Sequence, residues 1–554
     1  VTAAPSPQGS MRVDLDAPDM TPVMALLARF APQTAQTLRR GAAAMAPAKL
    51  HAQLTIDGAT PAVAKLAIDG NLGKVRVALT GQANADAIAF TAGDIKLEGK
   101  LEADDGKILV AMLGLDPVLA VDAGPGALTL TANGPARGEL KIDGKLTGGG
   151  LDAGATGSAK LFTDTPSAAL RLTILRADAG PLRGGARAPL PVTFAGNVAL
   201  TAKDVTLSDI NATVAGATLR GKLGLTLPAP RRVHGEFETD TLDAPSLVMA
   251  AIGMPSAANS GASWAWSSEP FAAGVLGDYG GQITLKARRA GLLPGLAARE
   301  LRAAFHWGDN EIAFDDVSGD VAGGRLAGQV SFRSVDGGMK AHAKISLTGA
   351  NAADMLSSGA RPPVNGTLGF SVEADGAGMS PVALIGSLQG TGKITLTDAQ
   401  LAGLDPRTFD AVTRAVDQGM PVDAARISNV VNKALESGRL TVRRAEGIIA
   451  VSAGQLRLSN VRADSKDAAL SLAGNLDLTD GSIDARLVLS GLGQAAGSRP
   501  DIFMALQGPV AAPSRSIDVS ALTGWLTLRA IDNQSKQLRD IENAQPKPSL
   551  GSQN

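Results

Sequence analysis

The chain has 554 residues, a length that predicts more than one domain. Its 52 basic and 53 acidic residues leave a formal net charge of -1, which excludes the strongly basic surface expected of a nucleic-acid-binding protein. Cysteine is absent, so disulfides, thiolate metal sites and cysteine nucleophiles are excluded. Apolar residues make up 45% of the chain and aromatic residues only 3%. This aliphatic composition is typical of many short strands joined by tight turns.

The N-terminal half is predicted to be a β-rich repeat region with one early helix. Helical spacing of apolar residues predicts a helix within Met20–Met45. Alternation of apolar and polar residues then predicts strands, as in Asp94–Asp104. The pairs Asp69-Gly70, Asp105-Gly106 and Asp143-Gly144 are interpreted as hairpin turns, because Asp-Gly favours left-handed backbone conformations.

In the second half, strands are expected to resume after Tyr279. Two helices are predicted within Arg407–Ser437, separated by a break at residues 419–421, where Gly and Pro end a helix. Residues 479–482 (Thr-Asp-Gly-Ser) form the clearest hairpin signal. An amphipathic helix is expected from Val519, followed by a polar, disordered tail over residues 543–554. We therefore divide the chain into regions 1–258, 261–518 and 519–554.

The stretch Leu384–Pro406 illustrates the strand pattern. Ile394 and Leu396 alternate with Lys393, Thr395 and Thr397, which indicates a strand buried on one face only. Related patterns recur along the chain without a fixed period. The predicted fold is mainly β: a long, curved antiparallel sheet, forming either an open groove or stacked β-repeats, with a few short helices.

Candidate catalytic and metal sites are few. The sequence Gly-Thr-Gly-Lys at 390–393 lacks the remaining residues of a phosphate-binding loop and leads into a strand. The histidines His51, His234, His306 and His342 are far apart and have no partner at metal-ligand spacing. We expect no enzyme activity, no cofactor and no metal.

Trp264 and Trp266 are the most conspicuous aromatic residues. They are interpreted either as a hydrophobic plug under a loop or as an amphipathic contact at a membrane interface or groove edge. The longest apolar run, Leu247–Gly253, is much shorter than the ~18 residues expected of a membrane-spanning helix. The chain begins VTAAPSPQG, without an initiator methionine or a signal peptide. We therefore expect that it lacks an N-terminal segment, in which an anchor or export signal could lie.

A sheet with one apolar face must cover that face. It can close into a barrel, stack on a second sheet, or curl into an open trough that binds an apolar occupant. Burying an acyl chain of about sixteen carbons would gain on the order of 12 kcal/mol. Composition alone does not separate a trough from a β-sandwich array.

The segment from about Trp264 to Ile541 resembles the C-terminal region of the AsmA family of Gram-negative envelope proteins. The resemblance is carried, in order, by residues 266–271 (WSSEPF), 321–328 (VAGGRLAG), 386–396 with 403–405, 474–478 (GNLDL), 508–509 with Pro513, 517–518 and 525–529 (WLTLR). It implies a largely periplasmic protein, anchored in the inner membrane by an N-terminal helix and similar to bridge-like lipid-transfer proteins. The family has no catalytic motif to carry over.

The resulting hypothesis is a non-enzymatic periplasmic protein that binds phospholipid acyl chains in an apolar β-groove and supports lipid transport from inner to outer membrane. The alternative is a structural or scaffold factor in outer-membrane protein assembly or envelope biogenesis, with envelope-assembly proteins as partners. Nucleic acid is not expected as a partner. The candidate groove residues, each of which could equally be packed core, are Ile394, Leu396, Leu456, Leu458, Leu476, Leu478, Ile483, Leu487 and Leu489.

Overall fold

The structure is a computed structural model. It describes residues 8–30, 42, 44–58, 62–85, 93–161, 163, 165–183, 189–255, 266–272, 280–356, 363–491, 500–510 and 512–544. Two compact units make up the chain. Unit 1 is Val1–Ala251 with Gly274–Arg289 and Ala304–Asp309, and unit 2 is Ile252–Ala273 with Ala290–Ala303 and Asn310–Asn554. The three predicted regions stay a prediction.

In unit 1 each strand pairs antiparallel with the next along the chain, from the first strand to the thirteenth. The strands are β1 Gly9–Ala17, β2 Ala48–Ile56, β3 Ala62–Leu72, β4 Val75–Ala85, β5 Asp94–Ala103, β6 Gly126–Pro135, β7 Leu140–Gly148, β8 Leu151–Lys160, β9 Ser167–Asp178, β10 Pro191–Thr201, β11 Asp204–Val214, β12 Ala217–Thr226 and β13 Arg232–Asp243. Connections between neighbours are mostly short, as antiparallel pairing permits.

Strands β14 Gly280–Leu293 and β15 Leu296–Gly308 follow. In unit 2, from β16 onward, each strand again pairs antiparallel with the next. These strands are β16 Glu311–Val321, β17 Gly324–Val335, β18 Gly338–Asn351, β19 Val364–Gly378, β20 Gln389–Ala402, β21 Arg439–Ser452, β22 Gln455–Asp464, β23 Ala468–Asp477, β24 Ser482–Gly491, β25 Ile502–Pro509 and β26 Ser514–Asp518.

The helices among the described residues are α1 Thr21–Phe30, α2 Gly106–Met112, α3 Ala244–Ala251, α4 Ala352–Leu356, α5 Pro381–Gly386, α6 Thr408–Asp417, α7 Ala424–Glu436 and α8 Ser520–Ala544, with a short 3-10 helix at Gly180–Arg183. The predicted helical pair is confirmed as α6 and α7, and the C-terminal helix as α8. The predicted early helix begins as α1, and most of its remainder lies outside the described residues. Helix α8 continues through Asn543 and Ala544, which the sequence assigned to a polar tail, and the rest of that tail is not described. The mainly β prediction, with a long antiparallel sheet and few helices, is confirmed.

The Asp-Gly hairpin prediction is wrong at all three places. Asp69-Gly70 lies within β3, and Asp143-Gly144 lies within β7. Asp105 instead caps the N-terminus of α2, where its carboxylate accepts a hydrogen bond from the backbone N–H of Lys107. The turn between β3 and β4 is made at Gly73, whose φ is +59°.

Glycine is needed at position 70 for a reason other than a turn. A Cβ atom on Gly70, whose φ is +144°, would clash with the backbone oxygen of Lys49 on the neighbouring strand. A Cβ on Gly144 would make an ordinary contact of 3.4 Å with Leu130 Cδ1, across the strand pair. At position 70, glycine lets the strand backbones approach closely.

Aspartate residues mark bulges that bend the strands. Asp209, Asp316 and Asp398 have φ values of 51°, 50° and 49°, and the pairing register with a neighbouring strand shifts at each of them. Aspartate tolerates this left-handed conformation better than most residues. A bulge bends its strand and increases the local twist, so these positions introduce local curvature into the sheet.

Each unit has its own buried core. In unit 1 the core brings together Met20, Met24, Val75, Leu109 and Met112, so α1 and α2 pack on the ends of neighbouring strands. In unit 2 the largest cluster joins α6, α7 and α8 to the ends of strands β20 to β25.

Candidate functional site

Unit 2 contains an apolar cavity of about 560 Å³. Its wall is formed by one face of strands β19 to β26, with the start of α4 at one side. Asn475 and Arg515 are the polar residues among those that line it. The cavity lies in the size range of ~300–1,000 Å³ typical of small-molecule sites.

Seven of the nine candidate groove residues line this cavity. They are Ile394, Leu396, Leu456, Leu458, Leu476, Ile483 and Leu487. All seven side chains are half-buried, so they are covered by neighbours on one side and open towards the cavity on the other. Their contact with lipid stays a prediction.

The other two candidates lie elsewhere. Leu489 is 0% exposed and belongs to the packed core. Leu478 lies in the turn after β23, where its carbonyl oxygen accepts a hydrogen bond of 2.8 Å from Trp266 Nε1. The half-buried Trp266 therefore ties its segment to this hairpin turn. Trp264 lies outside the described residues.

The cavity wall is built from cross-strand rows. Because side chains of a strand alternate between faces, residues paired across an antiparallel ladder share one face. The rows, in strand order from β22, are Leu456–Leu476–Ile483, Leu458–Gly474–Ala485–Leu506, Val461–Leu472–Leu487–Met504 and Ala463–Leu470–Leu489–Ile502.

Burial increases along these rows towards one end of the strands. The fourth row is buried throughout, with Leu489 and Ile502 at 0% exposure, whereas Leu456, Leu476 and Ile483 in the first row are half-buried. The cavity is therefore bounded by packed core at one end of the strands, whereas the side chains towards the other end remain partly exposed.

Three helices close the buried end. Phe409 of α6 is 1% exposed, and Ile427, Val431 and Leu435 of α7 are 0% exposed. Leu522 of α8 joins them at 1% exposure. Asp423 caps α7 by accepting a hydrogen bond from the Arg426 backbone N–H at 3.0 Å. The helical pair predicted from sequence thus packs, together with α8, on the core at the buried end of the strands. We call this helical layer the end wall, and none of its residues lines the cavity itself.

Further wall residues were not singled out from the sequence. They include Leu368, Leu401, Gly447, Val461, Leu470, Leu472, Gly474, Met504 and Leu506. Strand alternation alone marks most of them as inward-facing, but only the register between strands shows which ones meet. Gly447 and Gly474 carry no apolar side chain, yet a Cβ there would lie 2.5 Å from Val461 Cγ2 and 2.8 Å from Ala485 Cβ, respectively. These two glycines therefore leave space that Val461 and Ala485 occupy.

The sites considered from sequence have structural explanations. Residues 390–393 lie inside β20, where a Cβ on Gly390 or Gly392 would clash with the backbone of β19. His51 Nδ1 lies 2.7 Å from Asp14 Oδ1, and this hydrogen bond raises the pKa of His51 above its ordinary value. His342 Nδ1 lies 2.8 Å from Asp375 Oδ1. In the described part of the chain, no group of three or more His, Asp or Glu residues could hold a metal ion.

No helix among the described residues is both long enough and apolar enough to cross a bilayer. Searches of curated proteins and of solved structures found no match. Residues 253–419 match the model of the AsmA family. The matched region contains Leu368, Ile394, Leu396 and Leu401 of the cavity wall. This match confirms the resemblance drawn from the sequence over residues 253–419, and AsmA is a family of envelope proteins.

Proposed function

We propose that this protein is a non-enzymatic lipid-handling protein of the periplasm, anchored in the inner membrane. It binds phospholipid acyl chains in the cavity of unit 2 and supports lipid transport from inner to outer membrane. The single observation that carries the proposal is the half-open cavity, whose wall consists of aliphatic side chains from consecutive strands.

Such a wall favours a hydrocarbon occupant. The half-buried leucines on the cavity face leave apolar surface open to water, and covering that surface is favourable. Each buried CH₂ group contributes about 0.8 kcal/mol. A chain segment of about eight CH₂ groups would therefore contribute on the order of 6 kcal/mol, while its polar head stays at the open side.

The wall also supports binding over catalysis. Among the described lining residues there is no carboxylate, histidine, serine or threonine. A general acid–base pair or an activated nucleophile would need such groups within hydrogen-bond reach of one another. A transport role needs only favourable and reversible burial of the lipid chain.

The test is to purify the intact protein from envelopes without detergent, extract it with organic solvent, and identify the extract by mass spectrometry. We expect phospholipid in near-stoichiometric amount. Leu472→Trp, which fills the cavity, should reduce the extracted lipid. Its matched control is Ser471→Trp, on the exposed opposite face of the same strand, and it should not. A lipid-free extract, together with recovery of envelope-assembly proteins as partners, would instead support the scaffold alternative.

A further inference from the structure

One cationic residue lies on the apolar face of the cavity. Arg515 of β26 pairs with Leu506 of β25, and Leu506 continues across the sheet to Ala485 and Gly474. The other members of this row, on β22 to β25, are aliphatic residues or glycine. Arg515 therefore places a positive charge at the edge of the cavity wall.

The surroundings of Arg515 leave most of its hydrogen-bonding capacity unused. Its Nη2 donates to the carbonyl oxygen of Gly403 at 3.0 Å and contacts Met504 Sδ at 3.4 Å. Among the described residues, no carboxylate lies within ion-pair distance of it. A guanidinium has five N–H donors, so several remain directed towards solvent or a ligand.

Four other arginines of unit 2 differ from Arg515 in this respect, because each forms an ion pair. The ion pairs there include Arg333–Glu311, Arg426–Asp423, Arg444–Glu446 and Arg529–Asp417. Those arginines lie outside the cavity wall. Among the described residues that line the cavity, Arg515 is the one arginine, so its charge is the one that an anionic group of a ligand in the cavity would meet.

We propose that Arg515 binds the phosphate of a phospholipid whose acyl chain lies in the cavity. This inference rests on the proposed function and specifies the head-group chemistry of the occupant. The planar guanidinium matches a phosphate with two parallel hydrogen bonds. The small residues Ala485 and Gly474 lie two and three strands further along the same row, beyond Leu506, and leave room there for the chain to continue along the apolar rows.

The contact with Gly403 defines a competing, purely structural role. Arg515 lies in β26, whereas Gly403 follows β20, so their hydrogen bond ties together two distant parts of the chain. A structural role would affect every lipid equally when Arg515 is changed. A head-group role would affect only lipids that carry the phosphate.

The experiment uses the full chain, a fluorescent fatty-acid probe in the cavity, and two competitors with identical acyl chains: phosphatidylglycerol and diacylglycerol. We expect phosphatidylglycerol to compete about tenfold more strongly than diacylglycerol, the effect of one charge-assisted hydrogen-bonded pair. Arg515→Gln should remove this preference and leave diacylglycerol competition unchanged. Arg515→Lys should keep part of it, because lysine supplies charge without the planar fork.

The matched control is Arg457→Gln, which removes an exposed arginine from the outer face of β22 and should keep the full preference. The head-group assignment is overturned if Arg515→Gln retains the preference, or if it weakens both competitors equally. If neither lipid displaces the probe from the unaltered protein, the proposed function fails, and this inference fails with it. Thermal unfolding of each variant verifies that it is folded.

Discussion

The apolar faces of the two units follow the same strand pattern but differ in what lies across the strands. In unit 1, leucine and glycine alternate between neighbouring strands, as in the row Leu79–Gly99–Leu130–Gly144. In unit 2, the row Val461–Leu472–Leu487–Met504 consists entirely of large apolar side chains. Alternation along a strand therefore predicts an apolar face. The cross-strand register determines whether large side chains or glycines are neighbours on that face.

The units also differ in the helices that cover their strand ends. Helix α2 of unit 1 is seven residues long and packs so closely that a Cβ on Gly126 would lie 2.7 Å from the Gly106 Cα. The end wall in unit 2 is formed by α6, α7 and the first turns of α8. Leu130 on the face of unit 1 remains 47% exposed, whereas Leu489 in unit 2 is 0% exposed. The helical end wall of unit 2 buries the strand ends beside the cavity.

The largest effect is expected in that end wall. Leu435→Ala should lower the free energy of unfolding by about 3 kcal/mol, because Leu435 is 0% exposed and its removal leaves a void in the core. Chemical denaturation measures the change. The control Leu528→Ala, on the part of α8 where the side chain is 70% exposed, should change it by less than about 0.5 kcal/mol. Equal losses from the two variants would contradict the end-wall assignment.

The next effect concerns glycine within the sheet of unit 1. Gly70→Ala should cost about 2 kcal/mol, because φ is +144° and the new Cβ would clash with Lys49 O. Gly144→Ala places its Cβ 3.4 Å from a leucine side chain, so its cost should be smaller. Thermal unfolding of both variants measures the difference. A reversed order would show that close strand approach is not the reason for glycine at position 70.

A tryptophan placed on each apolar face tests which unit binds lipid. Leu458→Trp fills the cavity of unit 2 and should lower bound phospholipid several-fold, since each tenfold loss of affinity corresponds to about 1.4 kcal/mol. Leu97→Trp makes the same change at a half-buried position in β5 of unit 1 and should leave most lipid bound. Lipid quantification after extraction measures both. The opposite result would move the binding site to unit 1.

A smaller effect is expected where α8 is fastened to α6. Arg529 donates to both carboxylate oxygens of Asp417 at 3.2 and 3.0 Å, and Asn533 donates to one of them at 2.9 Å. The carboxylate raises the pKa of Arg529. Because both side chains are partly exposed, Asp417→Asn should cost only about 1 kcal/mol, less at high salt. Hydrogen exchange should become faster in α8, and unchanged exchange there would contradict the fastening role.

The smallest effect is a pH dependence in the first strand pair of unit 1. Hydrogen bonding to Asp14 raises the pKa of His51 above its ordinary 6.5. The pair's contribution to stability is thus fully present below the unfolded pKa of His51, and is lost as pH rises through the raised folded pKa. In Asp14→Asn the His51 pKa, measured by NMR titration, should fall. An identical titration curve in the variant would refute the pairing.

The strand pattern, the helical pair and the C-terminal helix could all be predicted from sequence, because their periodicity is local. Ile394 and Leu396, for example, lie on the cavity face as their alternation predicts. The Asp-Gly turns were mistaken because the same dipeptide serves as a helix cap at Asp105 and as a close strand contact at Gly70. Which role applies depends on the neighbouring strand, and no local signal reports it.

The candidate groove could be predicted in part for the same reason. Leu487 and Leu489 alternate identically in β24, yet only Leu487 lines the cavity, because α6 to α8 bury the end of the strand that holds Leu489. Leu478 follows the alternating pattern of β23, but the strand ends at Asp477, so Leu478 lies in the turn. Gly447 and Gly474 were missed because a glycine contributes to a cavity through the side chain it lacks.

The central claim is that an acyl chain occupies the cavity face of unit 2, and crosslinking from inside the envelope tests it most directly. A photoreactive phenylalanine analogue is placed at Leu487, which lines the cavity, or at Arg486, which is exposed on the opposite face of the same strand. After irradiation, intact-mass spectrometry should detect phospholipid adducts at position 487 and few at position 486. Adducts equally abundant at both positions, or absent from both, would contradict the account.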